Sequence, residues 1–342
     1  MSNREAPSSG GSRPTGSFSL IVAGALVAVA FGVGGVAGSP RATAGLRAET
    51  KFVAVVALEE AGQVAILNGP PWRVIRRASV PAGPHNVVAS PSGELVAVTS
   101  PRAGAVTLIR ARTGAVVRTI RVQGYPHDAV FGSESRTLWI TAERATQLVE
   151  IAVPSGRVLR SVRTSGAPHD LDLVAGRNEL WVTIDESASV DLRAETTGRL
   201  LARPNVGGAP HDVAVAPDGR ALWFSNWSSG ELTIVSLRSR RPVARLQAGD
   251  EPHHFVFGMG RLWVSDNAGR ALVSVDPRSR HLLERTTVGP SPHHAAIAGN
   301  QILVAVHGTG RVVVVSQRGR VVGSVAVGSG PHGIAVVSAG PR

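Results

Sequence analysis

Residues 208–249 read GAPHDVAVAPDGRALWFSNWSSGELTIVSLRSRRPVARLQAG, and this stretch decides the fold. HDVAVA predicts a short apolar strand, and Pro217-Asp218-Gly219 a turn whose glycine accepts positive φ. ALWFSN predicts a second strand, Ser228-Ser229-Gly230 the next turn, ELTIVSL a third strand and RPVARLQ a fourth. Short strands ended by Gly, Pro, Asn, Asp or Ser make one antiparallel meander. The first two strands are apolar on both faces, so neighbours must cover both. The fourth alternates and carries arginine, as an outer edge strand should.

Working outward, the Pro-His of this stretch recurs along the chain at His85, His127, His169, His211, His253, His293 and His332. The steps between them are 42, 42, 42, 42, 40 and 39 residues. A second refrain, LWIT, LWVT, LWFS and LWVS, surrounds Trp139, Trp181, Trp223 and Trp263. A fixed period near 40 residues filled with short apolar runs is the signature of propeller blades. The last copy supplies only GPHGIAVV, whereas residues 52–80 supply FVAVVAL, QVAILN and WRVIRRASV with no Pro-His before them. Joining the two completes a seventh blade from both chain termini and removes the open sheet edges. The expectation is an all-β, seven-bladed β-propeller of four-stranded blades over residues 45–342.

The 342 residues are 43% hydrophobic and 18% charged, enough to bury a large core. The net charge of +12 is almost all arginine, with Lys51 the only lysine. The arginines are scattered along the strands, which reads as a solvated exterior, and no specific nucleic-acid motif accompanies them. Cysteine is absent, which excludes disulfides, thiolate metal sites and a lipid-modified cysteine anchor.

Residues 1–44 read as a leader. A polar segment with Arg4 and Arg13 precedes an apolar run from Phe18 to Val36, and Ala42-Thr43-Ala44 offers a small-x-small cleavage pattern. A run of about 20 apolar residues also suffices to cross a bilayer. The segment is therefore either a signal peptide or an N-terminal membrane anchor. Both place a monomeric propeller outside the cytoplasm, facing a small molecule or a cell-envelope partner.

Each Pro-His stands where a blade's first strand begins, so the seven histidines should ring one mouth of the central channel. Antiparallel pairing then sets Asp266 opposite His253, Asn226 opposite His211 and His307 opposite His293. A residue found in every blade ordinarily serves every blade, so His85, His127, His169 and His332 read as structural, bonding a neighbour's backbone. The four tryptophans read as wedges between blades. Asp172, Glu186 and His281 read as structural or exposed. After the histidine the residues run Asn86, Asp128, Asp170, Asp212, His254, His294 and Gly333. Only blades five and six double the histidine, and only blade five places an acid, Glu251, two residues before it. These departures put His211, Asn226, Glu251, His253, His254, Asp266, His293, His294 and His307 on one arc of the mouth. Imidazole and carboxylate together bind a divalent cation or exchange protons near neutral pH.

Residues 52–338, with their G-x-x-P-H and LWVT refrains, resemble the YVTN-type repeat propellers, extracytoplasmic proteins many of which lack known catalysis. The chain is also similar to the streptogramin B lyases, seven-bladed propellers that open a cyclic ester by elimination with a divalent metal, usually magnesium. That resemblance implies His253 as general base, His211 as the substrate-positioning histidine, and Glu251 and Asp266 as metal holders, with magnesium or zinc as cofactor. The lyases end the corresponding strand in glutamate, where this chain has the shorter Asp266. Two classes of function follow: an exported binding or scaffold propeller, or a metal-dependent carbon-oxygen lyase acting at the arc of blades four to six.

Overall fold

A computed structural model describes residues 52–340, and the leader at 1–44 lies outside them. Seven sheets of four antiparallel strands make up the described chain. We number the blades by their histidines, from His85 in blade one to His332 in blade seven. Blade seven takes Pro331–Ser338 as its innermost strand beside Phe52–Leu58, Gln63–Gly69 and Arg73–Ser79, so both ends of the described chain close it. The strands read from blade four recur closely as Val213–Val215, Ala221–Asn226, Glu231–Ser236 and Arg241–Gln247. Gly219 ends the first turn at φ 64°, a left-handed conformation that a side chain would strain. No helix among the described residues is long and apolar enough to cross a membrane.

Seven apolar clusters hold the ring, one at each junction of neighbouring blades. Trp139 of blade two packs with Leu171 and Leu180 of blade three, and Trp223 of blade four with Phe255 and Leu262 of blade five. All four tryptophans of the refrain are buried. They fill the space that widens between blades away from the axis. The outer strands are exposed, and Arg76, Arg77, Arg118, Arg121, Arg241 and Arg245 project from three different blades. The positive charge is thus spread round the rim.

In blades one to four the residue at the last position of the LWVT refrain latches its blade to the next, whereas the Ser265 hydroxyl of blade five has no partner. Thr99 Oγ1 donates to the carbonyl of His127, Thr141 to that of His169, Thr183 to that of His211 and Ser225 to that of His253, at 2.7–2.9 Å. Each of these hydroxyls also accepts the N–H of the residue after its own blade's histidine: Asn86, Asp128, Asp170 and Asp212. Backbone bracing was expected of the histidine side chains. The hydroxyls perform it, which leaves the imidazoles free to face the channel.

The hairpin register also departs from expectation at this level. Asp266 pairs with Pro252 and Val306 with Pro292, because a bulge interrupts the ladder between Pro252 and Phe255 and between Pro292 and Ala295. Asp266 therefore does not lie opposite His253, nor His307 opposite His293. Blades two and three carry the same bulge after Pro126 and Pro168. In a regular strand consecutive side chains point to opposite faces, and a bulge breaks that alternation. Here it sends both the histidine and the residue after it toward the axis.

Candidate functional site

The seven histidines form a closed circuit of rings. Centroid separations run 4.6 Å from His85 to His127, then 4.0, 4.1, 4.3, 4.9 and 4.1 Å through to His332, and 3.7 Å back to His85. A second tier comes from the residues that follow them. Asn86 donates to Asp128 at 3.0 Å, and His254 stacks on His294 at 3.6 Å between centroids. His254 Nδ1 lies 3.5 Å from Asp212 and 3.7 Å from Asp170. The column Asn86, Asp128, Asp170, Asp212, His254, His294, Gly333 is thus an inner ring. Its polarity was visible in the sequence, but only its two histidines stood out there as site residues.

Electrostatics vary from group to group within both tiers. Burial pushes His85, His211, His253, His254 and His332 well below the usual histidine range, and the neighbouring imidazoles add to the shift. Burial also takes His293 down to about 4 and His294 down to about 3. Asp128 is pushed up to about 8 by burial and by the nearby charge of Asp170, and Asp212 rises for the same reasons. Burial works against ionised Asp170 too, but the imidazoles of His169 and His127 hold its carboxyl well below the ordinary range. His169 is raised to about 9: burial opposes its charge and the Asp170 carboxylate prevails. Most of the channel is therefore neutral imidazole, with one ionic knot at Asp170.

Of the expected arc, the structure brings His211, His253 and His254 together, with ligand atoms within 4.8 Å of one another. His211 Nε2, His253 Nδ1 and His254 Nε2 are buried without a hydrogen-bond partner. Trp227 stacks on His211 at 4.9 Å between centroids and meets His253 edge-on. It is 40% exposed at the mouth. Trp227 was not anticipated; its one distinguishing mark is that it stands outside the LW refrain. His293 lies between His253 and His332, with Asn267 Nδ2 3.5 Å from its Nε2.

The remaining residues of the arc serve elsewhere. Asp266 is fully buried, accepts backbone N–H groups from Asp250, Glu251 and Gly269, and pairs with Arg285 at 2.7 Å. Its carboxylate fastens the loop that leads into blade five. Glu251 contributes its backbone to that loop, and its side chain joins no ligand group among the described residues. Asn226 is buried, donates to Thr233 at 2.9 Å and sits where a Cβ on Gly208 would fall. His307 keeps its place beside His293, with ring centroids 5.5 Å apart, and its Nε2 lies 3.5 Å from Glu59. A cleft of 1110 Å³ between blades four and five opens by the Pro217 and Met259 turns, at the far end of their first strands, and no ring histidine lines it.

Solved structures with this architecture are similar at the level of fold. A protein of unknown function from Desulfotomaculum acetoxidans superposes with a TM-score of 0.75 at 12% identity, over 84% of this chain and 99% of that one. AztD from Citrobacter koseri gives 0.67 at 12% identity, over 86% and 100%. Hydrazine synthase of Kuenenia stuttgartiensis gives 0.65 at 14% identity, over 76% and 96%. No curated protein matches the chain in sequence. The family of YNCE-like beta-propellers matches residues 13–342, nearly the whole length. With its seven blades and histidine-lined channel, the chain belongs to the YNCE-like β-propeller family.

Proposed function

We propose that this protein is an extracytoplasmic, non-catalytic binding propeller that holds a zinc-class divalent cation at the mouth of its channel. One observation carries this reading: His211, His253 and His254 converge, and each has a buried ring nitrogen without a partner. Neutral imidazole is the ligand form, and burial keeps these rings neutral. Three imidazoles suit zinc, copper or nickel, whereas magnesium requires oxygen donors. Trp227 over His211 gives the mouth an aromatic face for a small molecule or envelope partner carrying the ion. The leader read at 1–44 supports a site outside the cytoplasm. The elimination reading loses support because Asp266 is spent on Arg285 and Glu251 stands apart from the imidazole group.

The test is metal analysis after dialysis of the full chain against zinc and gel filtration. His253→Ala should lose one equivalent of zinc while still folding. Protein that emerges free of divalent metal sinks the reading.

A further inference from the structure

In three successive blades a carboxylate braces the next blade by accepting a backbone N–H 43 residues ahead. Asp128 takes that of Leu171, Asp172 that of Val215 and Asp212 that of Phe255, at 3.4, 2.8 and 3.0 Å. In blades two and four the brace is the residue after the histidine. In blade three the duty has moved two residues along, from Asp170 to Asp172. Asp170 keeps its place in the inner ring with no bracing to perform.

Its surroundings are unusual for a carboxylate. Asp170 is 2% exposed, and neither of its oxygens has a hydrogen-bond partner. His127 Nδ1 and His169 Nδ1 lie 3.5 and 3.4 Å from Oδ1, too long for good hydrogen bonds, and both nitrogens are themselves buried and unpartnered. The three ligand atoms lie within 4.8 Å of one another. Buried polar atoms without partners are rare in folded proteins, and three that face each other invite a shared ligand. A proton on one imidazole serves Asp170 alone; a cation serves all three.

We infer that His127, His169 and Asp170 form a second, inner site for a first-row divalent cation. Two imidazoles and one carboxylate are a donor set for zinc, cobalt, manganese or iron, and they leave coordination positions open. The site shares no ligand with His211, His253 and His254, although the two adjoin, with His254 Nδ1 3.7 Å from Asp170.

Cobalt(II) is the probe, because its visible absorption reports the donor set and its content can be counted. The full chain, loaded with cobalt and desalted, should hold two equivalents. Asp170→Asn, which keeps shape and removes charge, should lose one equivalent together with the matching absorption, and His253→Ala should lose the other. If Asp170→Asn does not fold, His127→Gln gives the same reading. Cobalt content and spectrum unchanged in the folded Asp170 or His127 variant overturn the inner site, whatever His253→Ala does. One equivalent in the wild type, lost with Asp170→Asn but not with His253→Ala, supports the inner site and overturns the mouth site alone.

Discussion

The Thr183 hydroxyl donates to the carbonyl of His211 at 2.9 Å and accepts the N–H of Asp170 at 2.9 Å, so one side chain ties blade three to blade four. The same group reaches both tiers of the channel, one through each blade. Thr183→Val keeps the shape and leaves two buried backbone groups unpaired, which should cost about 1–3 kcal/mol. Chemical denaturation measures it, and a loss under about 0.5 kcal/mol would show that the hydroxyl is not the latch.

Asp266 and Arg285 form a pair in which only the arginine is partly exposed. Asp266→Ala strands three backbone N–H groups, while the half-exposed Arg285 keeps Asp250 and the Gly269 carbonyl. A loss of about 3 kcal/mol is expected from the unpaired N–H groups, with zinc content per folded molecule unchanged. Loss of metal with stability intact would restore Asp266 as a ligand.

Acid should destabilise the metal-free protein through its channel. His254 and His332 are buried and held well below the ordinary value, and His293 is held at about 4. A depressed histidine contributes stability that is complete above its unfolded value of about 6.5 and is lost as pH falls toward the folded value. Each such group contributes on the order of 1 kcal/mol per pH unit across that window. His169 runs the other way, its contribution disappearing as pH rises through about 9. Melting temperature should therefore fall steeply from about pH 6.5 to about pH 4, and His254→Gln should flatten the decline. A flat wild-type profile would count against neutral rings.

Glu59 and His307 give a narrower pH signature. Their close approach, 3.5 Å between His307 Nε2 and the carboxylate, lowers the carboxyl and raises the imidazole, with Arg102 assisting at the carboxyl. The acid's contribution is present above about 4.5 and the imidazole's below about 6.5, so the pair is strongest between these values. Both side chains are partly solvated, so Glu59→Gln should cost only about 0.5 kcal/mol more at about pH 5.5 than at about pH 8.5. Equal costs at both pH values would exclude a charged pair.

Trp227 offers an optical check on the mouth. Its ring stacks on His211, so nickel(II) or copper(II) bound there should quench its emission. Trp227→Phe should abolish most of the quenching without changing metal content. Unaltered quenching would place the ion away from His211.

The blade pattern was legible because strand alternation and turn residues are local properties. The run ALWFSN names its own strand and Gly219 its own turn, and only the chain termini needed counting to close the ring. The arc was half legible. His211, His253 and His254 do converge, but Asp266 was placed opposite His253 by a pairing rule that assumes an unbroken ladder. The bulge after Pro252 shifts that register by one residue, and nothing in the composition of PHHFVFG announces it.

The sequence by itself determined the seven blades, the closure and the positions of the histidines, since a 42-residue repeat of strand and turn signals admits one way of burying its apolar faces. Only the tertiary structure decided which side chains share the axis. Asp170 and Asp172 stand two residues apart in one short strand, and both are aspartates. One is anchored to the Val215 amide, and the other faces two imidazoles from adjoining blades. That difference depends on where the neighbouring blades sit, which no local stretch of the chain encodes.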